Sequence, residues 1–459
     1  MMMAPSPELL TSVRLLLLHL RHHQRQKRSI VQRRMSCWVD AAPRKRKLEL
    51  RDDDCGGAFP LDDLDQDILE KVLSRLPASS FFRLGSVCKR WKAVGESASF
   101  RMACAEVQSR DPWYYMARSG VGGGHDGAVM FDSSEMNWKS LNVAEILRDR
   151  PGSVPVASSG GLVCFRTGSG DFVVLNPITG SFRDVQNPIP GDCCEPIQAI
   201  AMQSIRRKSN LFRLILVFGE IPRLYFRVLD SKTNRWGTEI ALCRNPNNSP
   251  RNDADVSDEE DDSEDPIYFL SKSGNEVVTN TLLRSPLKQF SSVLTSKNSH
   301  DTIHFLSPSG KIVACNLMTR TFDEYPPLLP LCSEYSIDIV DCGGEPMVVL
   351  LSEFFESANL RMWKFNNTDR SWQHVTAMPP SMSHGLYGKR ADVNCSGSSN
   401  GTVLMCISSS EGSRYVAYHH SRDEWTELLQ CHVDGEVREF ETAFCFEPRI
   451  EIEASLVRS

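Results

Sequence analysis

A chain of 459 residues, 41% hydrophobic and 24% charged, has the make-up of an ordinary globular protein with two or three domains. No apolar run approaches the roughly 18 residues that a helical membrane span requires, which excludes that class. The net charge of −6 is split: residues 1–51 hold twelve Lys and Arg against three acids, a net +9, leaving −15 for the rest. Direct nucleic-acid binding by the folded body is therefore disfavoured. Fifteen cysteines stand mostly singly in apolar settings, with no CxxC pair and one doublet, Cys193-Cys194, so reduced thiols are expected.

Residues 1–58 read as a disordered basic arm. Leu15 to Leu18 followed by His and Arg has the composition of an organellar presequence, and Met35 is an alternative start. Pro43-Arg44-Lys45-Arg46-Lys47 is a basic cluster of nuclear-import type, so the expected location is nucleus and cytoplasm.

From Pro60 to Trp91 the pattern becomes helical. Leu61, Leu64, Ile68, Leu69, Val72, Leu73 and Leu76 recur at steps of an amphipathic helix. Asp62, Asp63 and Asp65 suit the positive end of its dipole, and Pro77 ends it. Ser79 or Ser80 is predicted to cap a second helix carrying Phe81, Phe82 and Leu84, and Ser86 a third carrying Val87, Cys88 and Trp91. About forty residues cannot bury so many large apolar side chains alone, so the surplus face needs a partner. This stretch resembles an F-box in its opening Pro60, its Asp-rich start, Ile68-Leu69, Leu76-Pro77 and Val87-Cys88-Lys89-Arg90-Trp91. The resemblance implies docking on a Skp-type adaptor and, through it, membership of a cullin–RING ubiquitin ligase. The adaptor face would comprise Pro60, Leu61, Leu64, Ile68, Leu69, Leu76, Pro77, Phe82, Val87, Cys88 and Trp91.

A connector follows over residues 101–120, with Phe100, Met102, Cys104 and Val107 predicting a short helix before Gly122-Gly123-Gly124 breaks the chain. Beyond it, short β-rich runs carry an internal repeat. A strand-ending polar residue is followed six positions later by Trp or Phe: Asp132 and Trp138, Asn176 and Phe182, Asp230 and Trp236, Asn316 and Phe322, Asn366 and Trp372, His419 and Trp425. Each copy predicts a hairpin whose Asn or Asp side chain bonds the turn backbone, with the aromatic opening the return strand toward the core. The copies lie 44, 54, 86, 50 and 53 residues apart, so the 86-residue gap hides a missed copy or an insertion. Leu282-Leu283-Arg284 followed by Phe290 is a degenerate candidate, and the expectation is a β-propeller of six or seven blades, leaning to seven. With Gly160-Gly161 and Gly343-Gly344, the repeats resemble kelch repeats, although most copies lack the diglycine.

The two parts together resemble a large plant family of F-box/kelch substrate receptors. The implied organisation is an arm over 1–58, a three-helix F-box over 59–100, the connector, and a kelch-like propeller over 121–459. Within the last, the loop 251–265 includes nine acids between Asp253 and Asp265 and should remain solvated. Ser257 and Ser263 within it are candidate phosphorylation sites for an acid-directed kinase.

Chemistry beyond docking finds little support. There is no Walker loop, GxSxG elbow or HExxH, and Gly122 to Gly127 reads as a linker. His300, Asp301 and His304 flank a strand, where their spacing does not converge as it would on a helix. Some kelch-like propellers are copper oxidases, and Tyr387, Tyr415, Tyr418, His419 and Cys431 supply suitable residue types without an identifying spacing. The expectation is a non-catalytic receptor without cofactor or metal that binds an unidentified target protein away from membranes. The alternative is a non-degradative scaffold or nuclear transcriptional co-regulator using the same modules.

Overall fold

The computed structural model describes residues 65–85, 89–118, 128–141, 144–189, 195–205, 211–246, 268–270, 276–278, 290–297, 300–307, 310–328, 335–354 and 357–454. The basic arm, Pro60, Leu61, Leu64, Val87, Cys88, Ser257 and Ser263 lie outside them, as do the acidic run and Leu282 to Arg284.

Four helices come first: α1 (Gln66–Ser74), α2 (Ala78–Gly85), α3 (Lys89–Glu96) and α4 (Ala98–Ala105). Helix α1 stops at Ser74, before Pro77, as a residue that cannot extend the ladder requires. Helix α2 starts at Ala78, ahead of the two serines expected to cap it, and Ser79 is buried. Ser97 caps α4, its Oγ accepting from Phe100 N at 3.1 Å. Leu69, Leu73, Leu76, Val94, Phe100 and Cys104 form the buried core of this module.

The strands follow as six antiparallel blades of four strands: among the described residues blades 1, 2, 5 and 6 are separate four-stranded sheets, and blades 3 and 4 are joined through one further strand into a nine-stranded sheet. Blade 1 contains β1 (Trp113–Ala117), β2 (Ala128–Asp132) and β3 (Asn137–Leu141); α5 (Ala144–Arg148) leads out of it. Blade 2 is β4 (Val154–Ser159), β5 (Leu162–Arg166), β6 (Phe172–Leu175) and β7 (Phe182–Val185). Blade 3 is β8 (Ile197–Ile205), β9 (Leu211–Glu220), β10 (Arg223–Asp230) and β11 (Arg235–Trp236). Between blades 3 and 4 come β12 (Ile240–Arg244) and a separate pair, β13 (Tyr268–Leu270) with β14 (Glu276–Val278). Blade 4 is β15 (Ser292–Lys297), β16 (His300–Leu306), β17 (Ile312–Asn316) and β18 (Thr321–Glu324). Blade 5 is β19 (Tyr335–Cys342), β20 (Glu345–Phe354), β21 (Ser357–Asn366) and β22 (Ser371–Ala377), followed by α6 (Pro380–Ser383). Blade 6 is β23 (Asp392–Gly397), β24 (Thr402–Ser409), β25 (Gly412–His419) and β26 (Glu424–Glu427). A hairpin, β27 (Cys431–Val433) and β28 (Glu436–Arg438), precedes β29 (Thr442–Phe446).

Strand β29 pairs with β1 and becomes the innermost strand of blade 1, so the two ends of the propeller close one sheet. The innermost strands β4, β8, β15, β19, β23 and β29 each pack on the next, and β29 returns to β4. The ring therefore closes at six blades, and the lean toward seven is corrected. The extra length between Asp230 and Asn316 belongs to β12, which leaves β10 to lie beside β18, and to the isolated β13–β14 pair. Phe290 opens no seventh blade and lies ahead of β15.

The start of the propeller is also corrected. It begins at Trp113 rather than residue 121, because β1 lies between β2 and β29 and all five of its residues are buried.

The hydrophobic clusters lie between blades. One joins blades 1 and 2 through Met130, Val163 and Phe444; another joins blades 5 and 6 through Val349, Leu360 and Met405. The remaining junctions around the ring are filled in the same way. Burial of this kind dominates the stability of such a sheet ring, at about 25 cal/mol per Å² of apolar surface.

The six repeat copies mark the turn between the third and outer strand of the six blades. Oδ1 of Asp132, Asn176, Asp230, Asn316 and Asn366 accepts from the backbone N–H two residues on, at 2.8–3.0 Å. His419 instead shares a hydrogen bond through Nδ1 with Thr402 Oγ1 at 3.2 Å. Four residues after each of these positions the backbone is left-handed: Met136, Gly180, Asn234, Arg320, Arg370 and Asp423 have φ of 50, 72, 52, 58, 48 and 49°. Only one of the six is the glycine that such a conformation favours.

Candidate functional site

The expected adaptor face divides in the structure. Of its described residues, Pro77 is exposed, Phe82 is 45% exposed, and Ile68 and Trp91 are half-buried. Leu69 and Leu76, also expected on the adaptor face, are buried in the module's own core in this chain. Helical periodicity identifies an apolar stripe but not which part of it the neighbouring helices cover. Phe81 stacks on Phe100 at 5.0 Å and meets Phe82 edge-on at 5.6 Å, so the exposed ring leans on a half-buried one that in turn rests on the core. At Gly95 a Cβ would come 3.0 Å from the Phe81 ring, and the absent side chain lets α3 approach α2.

A buried carboxylate sets the helix arrangement. Glu70 Oε1 accepts from Gln66 Nε2 (3.0 Å), Ser97 Oγ (3.1 Å) and Ser99 Oγ (3.0 Å). Burial alone would raise its pKa, but these hydrogen bonds hold it below the ordinary carboxylate value. Glu70 thereby links α1 to the start of α4.

The helical module is fastened to blades 1 and 2. Ala78 enters their shared core beside Trp113, Tyr115 and Phe444. Arg110 donates from Nη2 to Ser74 O (2.9 Å) and from Nη1 to Leu76 O (3.2 Å). Arg83 pairs with Glu135 in the blade 1 turn, and Lys139 reaches the same carboxylate at 2.6 Å.

The C-terminal segment after β29 completes the attachment. Arg449 is 1% exposed, flanked by Glu447 at 2.6 Å and Glu451 at 2.8 Å. Its Nη2 also donates to Val107 O (3.2 Å) and Gln108 O (3.3 Å) in the connector. Asn176, from the blade 2 turn, donates to Arg449 O and Ile452 O at 2.7 Å each. Arg101 on α4 pairs with Glu453 at 2.7 Å, and Ile450 packs on the helical core. One short strand of chain thus touches the helices, the connector and two blades.

Residues 61–101 match the F-box domain family. The chain is similar to F-box only protein 13 of Arabidopsis thaliana, 44% identical over 399 residues, covering 86% of this chain and 85% of that protein. The chain belongs to the plant F-box protein family. An F-box/kelch-repeat protein of Arabidopsis thaliana is 30% identical over 199 residues, covering 40% of this chain and 47% of that protein. Among solved structures, the Cps50 (Swd1) β-propeller domain of Myceliophteria thermophila is 10% identical, covering 73% of this chain and 91% of that one, with a TM-score of 0.33.

Outside the F-box, the residues considered for chemistry have separate structural roles. Tyr415 Oη accepts from Phe440 N at 2.7 Å, and Tyr418 Oη donates to Asp423 at 3.1 Å. Cys431 is buried between blades 6 and 1, while Tyr387 is exposed after α6. His300, Asp301 and His304 all lie on β16: Asp301 pairs with Arg213 of blade 3 at 3.2 Å, and His304 is buried near Tyr325. Among the described residues, no three His, Cys, Asp or Glu side chains gather as a metal set. The inner strands line a channel with a cavity of about 250 Å³, which Arg110 and Pro112 of the connector help to line.

Sequence reasoning missed Glu70, Arg110 and Arg449. Ser97 was available as an N-cap ahead of the apolar Phe100, and Glu447 and Glu451 bracket Arg449 two residues to either side. The other partners, Ser97 and Ser99 for Glu70 and the Ser74 and Leu76 carbonyls for Arg110, are distant in sequence and leave no local pattern.

Proposed function

We propose that this F-box protein is the substrate-recognition subunit of an SCF-type cullin–RING ubiquitin ligase. The F-box docks on a Skp-type adaptor, and the propeller holds the target protein. The observation that carries this reading is the surface left over once the F-box core is complete: Ile68, Pro77, Phe82 and Trp91 remain at least partly open on a module fastened to the propeller. Plant F-box proteins are generally receptors of this kind, which supports the assignment. The chain's part in catalysis is then proximity: it holds a target near a ubiquitin-loaded partner, and the bond-making groups belong to other subunits. Pro43 to Lys47 supports a distribution over nucleus and cytoplasm.

The test compares wild type with the Ile68→Lys/Phe82→Asp double variant in cells. Both should retain the same propeller-bound proteins, and those proteins should live longer with the variant. Equal half-lives would favour a non-degradative scaffold or transcriptional co-regulator instead.

A further inference from the structure

An open groove of about 930 Å³ runs between the outer parts of blades 2 and 3, within the size range of protein ligand sites. Phe172, Val173, Val185 and Leu229 give it an apolar floor. Around it stand Asp149, Asp171 and Asp184 against a single cation, Arg150, a net charge of −2. Arg150 is already matched, meeting Asp184 through Nε at 3.0 Å and Nη2 at 2.9 Å. Asp171 accepts from Asn187 N (2.9 Å) and Ser169 Oγ (3.1 Å), while Asp149 is exposed. Neither has an ion pair among the described residues.

One side of the groove is β7, the outer edge of its sheet, which among the described residues pairs with β6 alone. Such an edge leaves a row of backbone N–H and C=O groups open to an added strand. Blade 4 shows what an edge in this fold accepts. There β12 lies along β18, with Cys243 N donating to Arg320 O (2.9 Å) and Asn245 N to Phe322 O (3.0 Å). Arg244 of the added strand pairs with Glu324. Glu324 stands two residues after the repeat aromatic Phe322, as Asp184 does after Phe182. Blade 2 has the same aromatic-acid pattern on an edge that carries no added strand among the described residues.

We propose that this groove binds an extended basic segment of the target protein. The segment adds to the edge of β7, with its Lys or Arg side chains directed at Asp149 and Asp171. Main-chain pairing supplies affinity, and the negative rim selects the charge. The proposal rests on the receptor reading, but its test needs no adaptor and can fail while adaptor docking stands.

The test is fluorescence polarisation of the full-length chain with a labelled peptide alternating Val and Lys, beside one alternating Val and Glu. The Lys peptide should bind saturably and the Glu peptide should not. Asp149→Lys combined with Ser169→Lys should weaken the Lys peptide about tenfold or more. Amide exchange should slow at Phe182 to Val185 when the Lys peptide binds. Absent binding, equal binding of both peptides, an unaffected variant, or protection confined to another part of the chain would each overturn the proposal.

Discussion

Arg449 concentrates several long-range contacts in one side chain. It is buried between two carboxylates and also donates to the connector backbone. Removing one member of a buried ionic set leaves uncompensated charge, at a cost of about 3–5 kcal/mol. Arg449→Met should lower stability by about that much in chemical denaturation, while Arg449→Lys, which keeps the charge and loses the fork, should fall between it and wild type. A Met variant as stable as wild type would mean that the segment is merely draped on the surface. His304 offers a different test. Burial, with Lys297 in the same direction and Glu345 opposing, pushes its pKa down to about 4, and its Nδ1 has no hydrogen-bond partner among the described residues. The folded state holds the ring neutral, whereas the unfolded chain takes up a proton below about pH 6.5. Its contribution is therefore complete above that value and is lost as pH falls toward about 4. His304→Leu should lose about 2 kcal/mol less stability than wild type between about pH 7 and pH 5, measured by urea unfolding at both values.

At the scale of elements, the repeat turn was legible because its chemistry is local: an Asx acceptor, a left-handed residue and an aromatic within seven positions. What the aromatics do was only partly legible. Trp138, Trp236 and Trp372 donate from Nε1 to Leu429 O, Gln186 O and Pro326 O, carbonyls just beyond the outer strand of the preceding blade, at 2.8–3.0 Å. Phe322 is wholly buried against blade 3. Phe182 breaks the expectation of a core-facing aromatic: it is 39% exposed and lies under the Arg150 guanidinium at 4.8 Å. Trp372→Ala should therefore cost about 3 kcal/mol or more, and Phe182→Ala less than about 1 kcal/mol, read as melting temperatures of the full chain. Equal losses would remove the distinction between the inter-blade wedges and this surface ring. Six and seven blades could not be separated along the sequence for a related reason. An insertion that contributes an edge strand to blade 4 has the length of a blade without its turn.

For the whole molecule, the order of F-box then propeller could be read along the chain, whereas the joint between them could not. That joint depends on Ala78, Arg110 and a segment from Glu447 to Glu453, residues separated by hundreds of positions and selected by closure of the ring. Leu69 and Leu76 show the same limit within the F-box: periodicity marked them as apolar, and only packing shows that they face inward. Among the described residues, what remains outward is a small apolar surface around Phe82, and docking of that surface on an adaptor is the centre of the proposed function. Its most direct test is calorimetric titration of the full chain with a purified Skp-type adaptor, alongside Phe82→Asp. Wild type should bind one to one, and the variant should bind about tenfold or more weakly at an unchanged melting temperature. No binding by wild type, or equal binding by the variant, would contradict it.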